Sequence, residues 1–276
     1  ATLASDLTVV RDVKAHGDGD VLLKSLNDLL LEAAVQSTSG NISLAAGNAI
    51  TQGVAGDLST GDGTVDAVAS VGAITMLDGA VTSTLNRNIR YQAATNVSLG
   101  LLDAGSGSVG VIAGGSILDN GTAALNLRAG AVFMAAGAGI GNGFNHIDIA
   151  ALTLAASGPA GVYLPEADGL TVGSVADVQI QRVTMSGSAA LQPDPVNPAL
   201  AGVSSVGGVG NIVLQTVNGS LVVNQPIAAG GAGNILLRSQ TTTAIHAVDM
   251  TLNATVSSTL GNISVLADRN VLQTET

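Results

Sequence analysis

Three aspartates lie within ten residues of one another, Asp57, Asp62 and Asp66. Clustered carboxylates on one face can act as acid, base or nucleophile toward a glycosidic bond, often with Arg, Lys or Ca²⁺ beside them. Asp62, however, sits in Gly61-Asp62-Gly63, a turn sequence, and no Lys or Arg stands close to the three along the chain. A sugar groove also stacks its substrate on aromatic rings, and the chain has only Tyr91, Phe133, Phe144 and Tyr163. Corner roles therefore outweigh catalysis for all three.

The other reactive residue types give less. Gly17-Asp18-Gly19-Asp20-Val21 is one imperfect copy of a Gly- and Asp-rich calcium nonapeptide, which binds only in tandem. His16, His146 and His246 are far apart and lack a carboxylate at metal-site spacing. Ser106 lies in the turn run Gly105-Ser106-Gly107-Ser108, not in a nucleophile elbow. Gly137-Ala138-Gly139-Ile140-Gly141 has the glycine spacing of a phosphate loop but neither the Lys nor the helix. Thr82-Ser83-Thr84 and Thr241-Thr242-Thr243 do not recur from coil to coil as an ice-binding array must. No catalytic, cofactor-binding or metal-ligating residue is assigned.

The elements that carry these residues are repeats. Gly-Asn-Ile occurs four times, at Asn41, Asn211, Asn234 and Asn262, and each copy opens a run alternating apolar and polar residues. Ile42-x-Leu44-x-Ala46 leads to Ile50, and Ile263-x-Val265-x-Ala267 leads to Val271. The same template without Gly-Asn starts at Val21, Val65, Ile89, Val109, Leu125 and Val162. Alternation over short runs is the mark of strands with one buried face. Val21, Ile42, Val65, Ile89 and Val109 are 21, 23, 24 and 20 residues apart. Such a period predicts an all-β fold, a parallel β-helix (β-solenoid) of about 20–24 residues per coil and roughly 12 coils. The four asparagines are expected to stack as a structural corner ladder.

Composition agrees. Of 276 residues, 36 are Gly, none is Cys or Trp, and hydrophobic residues make up 46% while aromatics are 1%. A narrow stacked interior takes Ala, Val, Ile and Leu, and that much aliphatic side chain excludes disorder. The formal charge is −11, with 17 Asp against 3 Glu. Asp favours turns, so the acids are expected at corners. A net negative chain repels phosphate backbones, so nucleic acid is not an expected partner. No stretch approaches the roughly 20 apolar residues of a membrane-spanning helix, and no membrane insertion is expected. The absence of cysteine suits a large exported bacterial protein, and a start at Ala1-Thr2-Leu3 reads as a processed product or an excised segment.

The repeats form a single solenoid over residues 1–276 with one interruption. Gln192-Pro193-Asp194-Pro195-Val196-Asn197-Pro198 holds half of the six prolines, and Pro cannot donate to a ladder. A loop is expected near 187–208, subdividing 1–186 from 209–276. At the far end, Arg269-Asn270-Val271-Leu272-Gln273 stops in mid-pattern without a polar cap. An open strand edge is a template for more chain. The expected partners are flanking coils of a longer chain or a second copy stacked head to tail or laterally.

The Gly-Asn-Ile-x-Leu units and the run Gly161-Val162-Tyr163-Leu164-Pro165-Glu166-Ala167-Asp168-Gly169-Leu170-Thr171-Val172-Gly173 resemble the repeat regions of filamentous-haemagglutinin-like and other giant bacterial exoproteins. The resemblance implies a right-handed parallel β-helix at the bacterial cell surface or outside the cell. It also implies work as a stalk, adhesin or fibre, with host-surface or matrix glycans as further partners. The rival expectation is a carbohydrate-active β-helix enzyme, a polysaccharide lyase or hydrolase.

Overall fold

A computed structural model describes residues 5–121, 125–192, 199–242 and 248–274. The proline run 193–198, Thr243 and His246 lie outside the described residues. The chain is all β, a β-solenoid of about 11 turns built on parallel ladders. Three walls enclose the interior. The first takes Val21–Ser25, Ile42–Ala46, Val65–Ala69, Ile89–Ala93 and Ser108–Ala113. The second begins with Leu7–Val9, Leu29–Leu31, Ile50–Gln52 and Ile74–Met76. The third begins with Val13–Ala15, Val35–Ser37, Leu58–Thr60 and Val81–Thr84.

Stacking in register turns sequence periodicity into a column. Leu7, Leu29, Ile50, Ile74, Val97, Ile117, Ile140, Val162, Ile212, Ile235 and Ile263 succeed one another down the second wall. Each inward side chain meets its counterparts at the strand spacing of about 4.8 Å, so aliphatic groups pack at interior density without aromatic fillers. One polar brace crosses the lumen. Tyr91 from the first wall places its hydroxyl 2.6 Å from Thr82 Oγ1 of the third and 2.9 Å from Gln52 Oε1 of the second. Thr82 thus faces the interior.

The walls exchange roles midway. The five-residue strand of each coil runs down the first wall as far as Leu127–Ala136 and Ile149–Ser157. From Gly161–Glu166 onward it stacks beneath the second wall instead. Ile42 therefore lies in a different column from Ile212, Ile235 and Ile263, although all four follow Gly-Asn.

Between Gly173 and Gly202 the chain leaves the stack and returns, and Gly202 N–H donates to Gly173 O at 2.9 Å. The departure starts earlier than the proline run suggests. The excursion pairs Ser174–Ala176 with Ala199–Ala201 and Ile180–Val183 with Ala189–Gln192, both antiparallel. It is a long hairpin folded back along the outside of the first wall.

Candidate functional site

The outward residues of the first wall form a stripe in register: Leu22, Ser43, Asp66, Arg90, Gly110, Phe133 and Ala155. Outward positions normally face water, but here the hairpin covers them. Phe133 and Ala155 pack with Val175 and Val178, and a β-carbon on Gly110 would sit 3.1 Å from Val178 Cβ. Farther along, Asn88 Nδ2 donates to Gln179 O, Gln181 N–H to Thr64 Oγ1 and Val183 N–H to Ser43 Oγ. The hairpin thus straps together coils from Ala155 back to Ser43.

Asp66 is the charged centre of this strap, at 1% exposure. Arg90 Nε approaches one carboxylate oxygen at 3.3 Å and Arg182 Nε the other at 2.5 Å. Arg90 also donates to Gln192 O at 3.0 Å. The corner role expected for Asp66, without a basic neighbour, is overturned: it lies mid-strand and is held by one arginine from the next coil and one from the hairpin. The other two aspartates stay at corners. Asp57 Oδ1 accepts the Val81 N–H at 2.9 Å, and exposed Asp62 lies 3.8 Å from Arg87. The three carboxylates thus do different jobs in different surroundings.

Many Asp and Asn side chains serve one corner device. The first N–H of a corner points back toward the coil before it, where the backbone has already turned away. A short side chain one coil earlier supplies the missing acceptor. Asp6 does so for Asp28, Asp20 for Asn41, Asn41 for Thr64, Asn88 for Ser108 and Asn96 for Ser116. Asn126 serves Asp148, and Asp249 serves Asn270. A carboxylate or carboxamide on a single methylene reaches that N–H and Glu overshoots, so these corners favour Asp and Asn.

The predicted corner ladder divides accordingly. Asn211 Oδ1 accepts from Asn234 N–H at 2.8 Å, and Asn234 Oδ1 accepts from Asn262 N–H at 2.8 Å. Asn41 belongs to another corner, between Asp20 and Thr64, because the walls exchange roles between it and the other three. Asp20 is occupied in that chain. His16 is exposed, and the Ser106 N–H is taken by Asn86 Oδ1. Gly141 ends the Gly137 run as a corner at φ +60°. Among the described residues no group of three or more His, Asp or Glu is arranged to hold a metal, and no helix is long and apolar enough to cross a membrane.

Glu166 is the functional group that periodicity missed. It ends the strand Gly161–Glu166 at the position where other coils place Ala, Ser or Thr, and both carboxylate oxygens face the Ala151 N–H at 3.0 and 3.1 Å. Burial pushes its carboxyl up to about 7, against the backbone hydrogen bonds from Asp168, Ala151 and Ala167 that pull it down. The folded chain therefore holds a proton that the unfolded chain releases near 4.5. Stability from this group is complete below about pH 4.5 and falls as pH rises through 7, by about 3 kcal/mol in all. Glu166→Gln should remove this part of the decline. Urea midpoints at pH 5 and pH 8 should differ less in the variant than in the parent, and an unchanged difference contradicts the assignment.

The apolar residues of the last described coil are more exposed than their counterparts one coil earlier. Ile263, Leu266, Val271 and Leu272 are 44%, 52%, 47% and 48% exposed, whereas Ile235, one coil earlier in the Ile263 column, is buried. Asn262 Oδ1 and Asn270 Oδ1 accept no hydrogen bond from the described residues. Comparison with protein-family models, with curated proteins and with solved structures finds no match, so fold and geometry alone carry the functional reading.

Proposed function

We propose that the chain is a structural rod segment of a secreted or surface-displayed bacterial fibre or adhesin. It extends through its coil edges, either into flanking coils or head to tail into a second copy. The observation that carries this reading is the unbroken second-wall column from Leu7 to Ile263, with parallel hydrogen bonds at each step. Such a stack is quasi-one-dimensional: each coil is completed by its neighbours, and its length is set by the number of coils. The strap over the first wall supports the same reading, since it binds several coils into one body.

The reading is tested against its enzymatic rival on a panel of uronate-containing and neutral polysaccharides. The chain should release no new reducing ends, and the variant Asp57→Asn/Asp62→Asn/Asp66→Asn, although less stable, should likewise release none. Cleavage by the parent that a folded triple variant loses would replace the structural role with a catalytic one.

A further inference from the structure

The four Phe and Tyr rings of this chain are divided in their use. Tyr91 braces the lumen and Phe133 lies under the strap. Tyr163 instead stacks with His146 outside the second wall, and Phe144 projects from the same bulge as His146 without touching either ring. Residues 141–147 bulge between Gly139–Ile140 and Ile149–Ser157, and the bulge is built rather than loose. Asn142 Oδ1 accepts the N–H groups of Phe144 and Asn145 at 2.9 and 3.1 Å, Asn142 N–H donates to Asn145 O, and Asn145 Nδ2 donates to Asp119 O at 3.1 Å. This turn holds the Phe144 side chain entirely in solvent. Ordering an apolar ring in water gains nothing for the fold.

Tyr163 lies against its own wall. A β-carbon on Gly161 would come within 2.7 Å of its Cε2, and one on Gly143, beside Phe144, would lie 3.9 Å from its Cε1. Asn211 Nδ2 reaches its hydroxyl at 3.5 Å. The His146 and Tyr163 rings are parallel within 3°, with centroids 6.0 Å apart. Asp148 is within electrostatic reach of both His146 and Asp119. Around the rings stand carboxamides and carboxylates, and none of the residues named is Lys or Arg.

We infer that Phe144, His146 and Tyr163 form a platform for a neutral pyranose glycan. The C–H face of a sugar ring lies on parallel aromatic rings, and its hydroxyls find carboxamides and carboxylates at the rim. Anionic sugars are repelled by Asp119 and Asp148. A quaternary cation binds best among rings turned toward one another, and His146 and Tyr163 are parallel. The inference rests on the surface-display reading and gives that reading a contact point.

Saturation-transfer NMR on the full chain tests it, with cello-, chito- and galacto-oligosaccharides as neutral probes, oligogalacturonate as the anionic probe and tetramethylammonium as the cationic one. At least one neutral probe should bind. Its affinity should fall by about tenfold or more in Phe144→Ala and in Tyr163→Ala and persist in Tyr163→Phe. Phe144→Ala removes a wholly exposed ring, so its urea midpoint should match the parent. Binding of no neutral probe, unchanged binding in both alanine variants, or binding of tetramethylammonium alone would overturn the platform. None of those results would alter the shape of the rod, so this inference can fail while the rod reading stands.

Discussion

Asp66→Asn should cost about 3–5 kcal/mol of folding stability, because it leaves the buried Arg90 guanidinium without its counter-charge. Arg90 is 3% exposed at its side chain and cannot recover water while the hairpin covers it. Arg182 is 35% exposed and can turn to solvent, so Arg182→Ala should cost far less, about 1 kcal/mol. The double variant Asp66→Leu/Arg90→Met removes both buried charges together and should regain most of the loss, since a buried ion pair is often replaceable by packed apolar groups. Urea unfolding of the four proteins checks the series. A loss below about 1 kcal/mol for Asp66→Asn would mean that water reaches Arg90 and that the strap is looser than its hydrogen bonds indicate.

Excision of the hairpin should have the next largest effect, and it separates strap from stack. Gly173 and Gly202 are already joined by a hydrogen bond, so residues 174–201 can be replaced by two glycines without bending the ladder. The shortened chain should keep its β spectrum, because no column of the walls passes through the hairpin. Baring Phe133 and Ala155 should cost roughly 2–4 kcal/mol. It also leaves an apolar, charged stripe on the outside, so the protein should bind hydrophobic dye and associate side by side. Calorimetry and light scattering read both effects. Complete loss of the β spectrum would show that the hairpin is part of the fold's nucleus rather than a covering.

The columns were legible in the sequence because burial on one face of a strand writes itself as a period of two. The coil length followed from the spacing of Val21, Ile42, Val65, Ile89 and Val109, and the lack of aromatics from the width of the interior. The strap was not legible. Asp66 and Arg182 are 116 residues apart, and no local rule links an outward aspartate to a distant arginine. A trace was present even so. Gly110 stands at an outward position of its strand, where an exposed wall has no use for a missing side chain, whereas the Leu125 template put Phe133 on the buried face that the structure gives to Val132 and Met134. The split of the asparagine ladder was hidden for another reason. Gly-Asn-Ile encodes a corner before a five-residue strand, and the same corner is used on two walls once the coils exchange roles at Gly161–Glu166. Glu166 takes the third inward position of the Val162 template, where other coils have a small residue, and the Ala151 N–H opposite it shows what a carboxyl does there.

The central claim is a rod of coils stacked along one axis. Negative-stain microscopy of the purified chain over a concentration series tests it most directly. About 11 turns at about 4.8 Å make a particle roughly 50 Å long. The particles should be rods of this length, isolated at every concentration if the coils continue into flanking chain, and joined end to end with an axial repeat of one rod length if copies stack. Particles without a long axis, or association only side by side at every concentration, would contradict it.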